Sequence, residues 1–178
     1  MTKSNVTAAD KANLNGQDEE SLRQAIELLF FAYRDFTGVA DAILDDYQFG
    51  RAHHRVVYFI GRNPEITVSQ LLLILKITKQ SLARVLGQLI DEGFVEQRTD
   101  KGDRRRRLLA LTSKGRELDQ RLIRRQSQHI AEAFKAAGAD AVTGFRQVLR
   151  GIINPEDRAY IDGFFDPATP DKVPEGKG

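Results

Sequence analysis

The 178-residue sequence contains no cysteine. This absence excludes disulfide bonds, thiolate zinc sites, cysteine nucleophiles and cysteine-based redox sensing. Long apolar stretches are also missing, because the longest run five or six residues, as in 71–75. A membrane-spanning helix needs about 20. No N-terminal stretch joins a basic segment to an apolar one, so we expect no secretory signal and a cytoplasmic protein.

The composition is that of an ordinary globular protein, with 41% hydrophobic and 29% charged residues. A chain of this length suffices for one hydrophobic core. The net charge is only +2, but it is unevenly distributed. Residues 51–135 carry 18 basic and 9 acidic side chains, whereas 1–50 carry 4 and 9, and 136–178 carry 5 and 7. A basic centre between acidic ends indicates a surface that binds a polyanion.

Apolar residues recur at alternating spacings of four and three between positions 22 and 47. This spacing predicts one amphipathic helix of about seven turns. Further apolar residues at 28, 30 and 31 fall outside the main stripe, so we expect the helix to bury two faces against a partner beyond its own domain. The predicted homodimer contacts in this helix and in the C-terminal helices are Leu22, Ile26, Leu29, Phe145, Ile152 and Phe164.

The centre of the chain has the pattern of a helix, a short helix, a turn, a further helix and a hairpin. Thr67 and Gln70 have the spacing of a capping box at the start of the short helix. Thr78 is placed to cap the next helix, and Gly93 ends it. This helix-turn-helix is followed by a hairpin around 100–103, which adds a wing. The predicted fold is therefore mainly α with a small β-wing, a winged helix-turn-helix.

One face of the predicted helix 78–90 suits a DNA major groove. Its apolar residues take one side, and long hydrogen-bond donors around a small residue take the other. The hairpin adds six basic residues within ten positions, 98–107, on a thin ribbon that suits a minor groove. Asp103 is expected to hold Arg105 in position. The predicted DNA contacts are Thr67, Ser69, Thr78, Lys79, Gln80, Ser81, Arg84, Arg98, Lys101, Asp103, Arg104 and Arg105.

Residues 22–134 resemble the multiple-antibiotic-resistance regulator (MarR) family of bacterial winged-helix repressors. The combination of Asp-x-Arg in the wing with Leu-Thr-x-x-Gly after it is far more specific than a bare helix-turn-helix. The matching motifs are 67–71, 89–95, 100–105 and 111–115.

The resemblance implies an entwined homodimer through the N- and C-terminal helices, a recognition helix at 78–90 and a wing arginine, Arg105, that reaches the minor groove. Such a dimer presents two recognition helices ~34 Å apart and so reads a palindrome in double-stranded DNA. The heavier basic run after Asp103 and the additional helix at 154–165 depart from the family pattern. We expect a disordered tail (1–20), an N-terminal dimerisation helix (21–50), a DNA-binding lobe (51–112), C-terminal dimerisation helices (113–165) and a flexible tail (166–178).

Regulation by a small ligand is one question that the sequence leaves open. Aromatic side chains of the first helix and polar side chains of the second suit a cleft, and the resemblance implies a phenolic or aromatic effector. The alternative is that these aromatic residues belong to an interface core. The candidate pocket residues are Tyr33, Phe36, Arg51, His53, His54 and Tyr58.

Other functions are less well supported by the sequence. No glycine-rich phosphate loop, nucleophile elbow or paired-carboxylate motif is present, so we expect neither an enzyme nor a cofactor. His53 and His54 are adjacent and would point about 100° apart on a helix, so we expect no metal site. A pH response of either histidine, an architectural DNA-binding role without an effector, and a protein partner as the main target stay open.

Overall fold

The computed structural model describes residues 18–100, 102–104 and 106–165. The chain divides into two compact units, Met1–Val39 and Ala40–Gly178. The first unit contributes helix α1 (Glu19–Gly38). Asp18 caps this helix, since its carboxylate accepts the backbone N–H of Ser21 at 2.7 Å. Large apolar side chains are exposed along α1: Ile26, Leu28, Leu29, Phe30, Phe31 and Tyr33.

The second unit carries the helix-turn-helix and the wing. Its three described strands are β1 (Ile66–Thr67), β2 (Val95–Thr99) and β3 (Arg107–Leu111). They form one antiparallel sheet in the order β1, β3, β2, in which Val95 pairs with Leu111. This mainly helical architecture with a small sheet confirms the predicted fold class. Its described elements are α2 (Asp41–Asp45), α3 (Arg51–Arg62), β1 (Ile66–Thr67), α4 (Val68–Leu75), α5 (Lys79–Asp91), β2 (Val95–Thr99), β3 (Arg107–Leu111), α6 (Ser113–Ala137), α7 (Ala139–Ile152) and α8 (Pro155–Phe165).

Helix α3 lies at the centre of the second unit and packs against α4, α5, α6 and β3. Its inward side chains Val56, Val57 and Ile60 are buried. Phe94, at the end of the helix-turn-helix, is also fully buried in this core. The inward residues predicted for α5 are all buried: Leu82, Val85, Leu86 and Leu89. The core therefore fixes which side of α5 faces outward.

The prediction of one continuous helix over 22–47 is wrong, because α1 ends at Gly38 and α2 follows as a separate short helix. The Thr37 hydroxyl donates to the carbonyl oxygens of Tyr33 and Arg34 at 2.9 and 3.0 Å. Such side-chain bonds to the backbone weaken the continuation of a helix. Gly38 follows directly, and a glycine loses more conformational entropy than other residues when it is fixed in a helix. The apolar spacing continues through the break and so did not reveal it.

The carboxylate of Asp119 on α6 lies close to α3, and one of its two oxygen atoms has no hydrogen-bond partner among the described residues. Its Oδ1 atom is buried and has no hydrogen-bond partner among the described residues. The other oxygen atom packs against Gly61 of α3, where an added Cβ atom would lie only 2.7 Å from Asp119 Oδ2. Burial raises the pKa of Asp119 from 3.8 to about 6, because desolvation disfavours the charged carboxylate.

Replacing Asp119 by asparagine is expected to raise the free energy of unfolding at pH 7 by about 1 kcal/mol, allowing for partial solvent access. The folded chain binds this proton more tightly than the unfolded chain. The cost of the buried carboxylate is therefore absent below the unfolded pKa of 3.8 and complete above about 6. Urea unfolding at a series of pH values measures the effect. The stability gap between variant and parent should widen from pH 4 to pH 7, and a gap independent of pH would contradict this account.

Candidate nucleic-acid interface

Helix α4 begins with the predicted capping box. Thr67 Oγ1 accepts the backbone N–H of Gln70 at 3.2 Å, and Gln70 Oε1 accepts that of Thr67 at 2.9 Å. Thr67 is consequently buried, with 7% exposure, whereas Ser69 is exposed in the first turn. Of the two DNA contacts predicted on this helix, Ser69 presents its side chain to solvent and Thr67 uses its hydroxyl in the cap. Lys76, in the left-handed region with φ 49°, ends α4 and begins the turn.

Helix α5 exposes the donor-rich face that the sequence predicted. Thr78 caps the helix, since its Oγ1 accepts the Ser81 N–H at 3.1 Å and donates to Ser81 Oγ at 2.9 Å. Four buried leucine and valine side chains hold the opposite face against the core. The exposed predicted contacts are Thr78, Lys79, Gln80, Ser81 and Arg84.

Strands β2 and β3 form the wing, and its tip is closed by hydrogen bonds from backbone N–H groups. Asp100 Oδ1 accepts the Gly102 N–H at 2.8 Å, and the Arg106 N–H donates to the Asp103 carbonyl at 2.9 Å. This turn lies where the sequence predicted the hairpin, and Asp followed two residues later by Gly is a sequence signal for it. Asp103 and Arg104 are exposed at the tip. Lys101 and Arg105, and with them the expected Asp103–Arg105 pair, lie outside the described residues.

Part of the basic run stabilises the wing itself. Arg98 on β2 forms an ion pair with Glu65, just before β1, and Arg107 donates a hydrogen bond to Thr99 across the hairpin. Arg106 lies 3.8 Å from the Asp100 carboxylate and is exposed. The contacts of Arg98 and Arg107 therefore stabilise the two strands of the hairpin, and the hairpin tip carries exposed cationic side chains.

The predicted pocket residues differ in how they are engaged. Arg51 makes two bonds to Asp41, with Nη2–Oδ2 at 2.7 Å and Nε–Oδ1 at 3.1 Å, which lower the pKa of Asp41. Burial lowers the pKa of His54, so neutral imidazole is favoured there. Tyr58 is partly exposed. The six residues divide between the units, with Tyr33 and Phe36 on α1 and Arg51, His53, His54 and Tyr58 on α3.

Helix α8 contacts the helix-turn-helix, which sequence reasoning missed. Lys76 Nζ, in the turn, lies 2.8 Å from Asp157 Oδ2 and 3.7 Å from Glu156 Oε1. Asn63 at the end of α3 donates to the Tyr160 hydroxyl at 3.2 Å, and burial raises the pKa of Tyr160 to about 12. These partners are more than 80 residues apart along the chain, so no local pattern could have paired them.

Two features are absent from the described residues. Over 18–100, 102–104 and 106–165, no group of three or more His, Asp or Glu side chains is arranged to hold a metal ion. In the same part of the chain, no helix combines the length and hydropathy that crossing a bilayer demands.

Comparison with known proteins gives consistent matches. Residues 47–106 match the sequence model of the MarR family. Over 142 residues the chain is 49% identical to the HTH-type transcriptional regulator PetP of Rhodobacter capsulatus, covering 80% of this chain and 86% of that protein. The fold is similar to that of Streptococcus pneumoniae FabT in complex with DNA, with 20% identity, a TM-score of 0.62, and coverage of 74% of this chain and 94% of that one. It is also similar to a mutant MarR from E. coli complexed with operator DNA, with 21% identity, a TM-score of 0.60, and coverage of 78% and 100%.

Proposed function

The chain belongs to the MarR family of winged helix-turn-helix transcription regulators, and we propose that it represses transcription as a homodimer bound to a palindromic operator. Members of this family are DNA-binding regulators and not enzymes. One observation carries the proposal: α5 exposes Lys79, Gln80 and Arg84 on the face opposite its buried side, beside a wing with exposed Arg104 and Arg106. In this proposal α5 enters the major groove, and the wing, including Arg105, meets the minor groove. A regulator of this kind acts in the bacterial cytoplasm, where its DNA lies.

The exposed apolar side chains support the homodimer. Ile26 and Leu29 on α1, and Phe145 and Ile152 on α7, are each at least 44% exposed. Clusters of large exposed apolar side chains on a helix mark an interaction site in a folded protein. A two-fold partner would cover the same surface on both copies. Leu22 is half-buried on α1, and Phe164 lies in α8 with its side chain outside the described residues.

A small aromatic effector is part of the proposal. Within the second unit, Arg51 is occupied by Asp41 and both ring nitrogens of His53 have partners. His54 and Tyr58, one turn apart on α3, are therefore the side chains that we assign to effector recognition there. An effector changes DNA binding only if it prefers one arrangement of the dimer over another. A pH- or metal-responsive regulator and a constitutive DNA-binding protein are the alternatives.

Selection from a pool of random duplexes tests the function. We expect a palindrome whose half-site centres lie one helical turn apart, bound as a dimer at least about 10³-fold more tightly than random duplex. Genome-wide mapping of bound sites and footprinting of one would then identify the operator. An architectural protein would bind all duplexes with similar affinity. One protomer per selected site would exclude the palindromic dimer.

A further inference from the structure

A chain of hydrogen bonds connects the start of α3 to the end of the recognition helix α5. The backbone N–H of Gly50 donates to His53 Nδ1 at 3.0 Å, so this ring nitrogen is unprotonated. The proton of the neutral ring therefore sits on Nε2, which donates to Gln88 Oε1 at 2.9 Å. The Gln88 amide nitrogen in turn donates to Glu92 Oε1 at 2.9 Å. Each bond fixes the donor and acceptor of the next.

The His53 ring is also held in place by packing. It stacks on Phe49 with 4.7 Å between the ring centroids and 8° between their planes. Phe49 is only 4% exposed and meets the fully buried Phe94 edge-on, with centroids 5.1 Å apart. His53 thus presents its Nε2 proton from the rigid core rather than from a mobile side chain.

Gln88 lies one turn beyond Arg84 on α5, so the two side chains share a region of the helix surface. The buried contacts of α5 are apolar, and apolar contacts are non-directional. The hydrogen bond from His53 to Gln88 adds a directional contact to this packing and so restricts rotation of the helix about its axis. The same rotation sets the direction in which Arg84 projects.

We propose that His53 and Gln88 are positioning residues that set the rotation of α5 and thereby the sequence specificity of DNA binding. The inference rests on the proposed function, because it assumes that α5 reads bases. Base contacts are short and directional, while phosphate contacts carry no sequence information. A small rotation of α5 therefore weakens binding to the operator and leaves binding to random duplex nearly unchanged.

The test compares variants that remove the bond without removing bulk. His53→Phe keeps an aromatic ring on Phe49, and Gln88→Met keeps the length of the side chain. For each we expect the ratio of operator affinity to random-duplex affinity to fall about 10-fold, the loss of one good base contact. The double variant should lose no more than either single variant, because both remove the same bond. Gln128→Met, on the exposed side of α6, is the matched control and should leave the ratio unchanged.

A conservative exchange separates positioning from general stability. In the variant that combines Gln88→Glu with Glu92→Gln, the carboxylate at 88 accepts from both His53 and the amide at 92, and the net charge is unchanged. We expect this variant to keep the operator preference. A preference retained by both His53→Phe and Gln88→Met would overturn the inference, as would an equal loss of operator and random binding. If the parent protein itself prefers no duplex, the proposed function fails instead. Should His53→Phe not fold, Gln88→Met and the exchange variant still decide the question.

Discussion

Replacing Gly115 by alanine is expected to destabilise the DNA-binding unit by at least about 4 kcal/mol, a loss that few single substitutions cause. A Cβ atom on Gly115 would lie 2.0 Å from the carbonyl oxygen of Phe94 and 3.0 Å from its carbonyl carbon. Both are backbone atoms and cannot rotate away as the end of a side chain can. The Thr112 N–H also donates to the Phe94 carbonyl at 3.1 Å, and this bond fixes the position of the backbone at the start of β2. The new methyl group can be accommodated only if α6 moves away from the core.

Denaturant unfolding measures this loss, and the chain offers a matched control. Gly87→Ala makes the same chemical change within α5, where a Cβ atom would meet nothing within 4 Å. Alanine is favoured over glycine inside a helix, so this control should gain about 0.5–1 kcal/mol. A Gly115→Ala protein as stable as its parent would show that α6 does not approach Phe94 so closely.

The caps of the central helices could be predicted from sequence because each is a local interaction. Thr67 and Thr78 each accept a backbone N–H from three residues further along the chain. Such short-range pairs are visible in any window of four residues. The outward face of α5 followed from apolar spacing for the same reason, since buried and exposed residues alternate with the helical period.

The remaining features depend on contacts between distant parts of the chain. His53 and Gln88 are separated by 35 residues, so sequence reasoning treated the histidine as a pocket residue and did not connect it to the glutamine. The steric need for Gly115 likewise appears only when α6 is packed against Phe94. The motif that contains Gly115 was recognised by resemblance, but its physical reason required the packed structure.

Raising the salt concentration from 50 to 200 mM is expected to weaken DNA binding by about 10³-fold or more if the dimer makes at least six phosphate contacts. The expected contacts come from the exposed cations of α5 and the wing, such as Lys79, Arg84, Arg104 and Arg106. Each cation that binds a phosphate releases counterions from DNA, so the logarithm of affinity falls linearly with the logarithm of salt concentration. If hydrogen bonds and apolar contacts alone carried the binding, affinity would hardly change with salt concentration. That result would contradict this prediction.

Arg84→Ala then distinguishes between the two roles open to that arginine. If Arg84 binds a phosphate, the variant should weaken binding to all duplexes and reduce the salt slope by about 1 for each subunit. If Arg84 binds a base, the slope should persist and the preference for the operator should fall by about 1–3 kcal/mol. Arg125→Ala removes the same charge from an exposed position on α6 and should change neither quantity strongly. An Arg84→Ala protein with unchanged operator affinity and unchanged slope would exclude this side chain from the DNA interface.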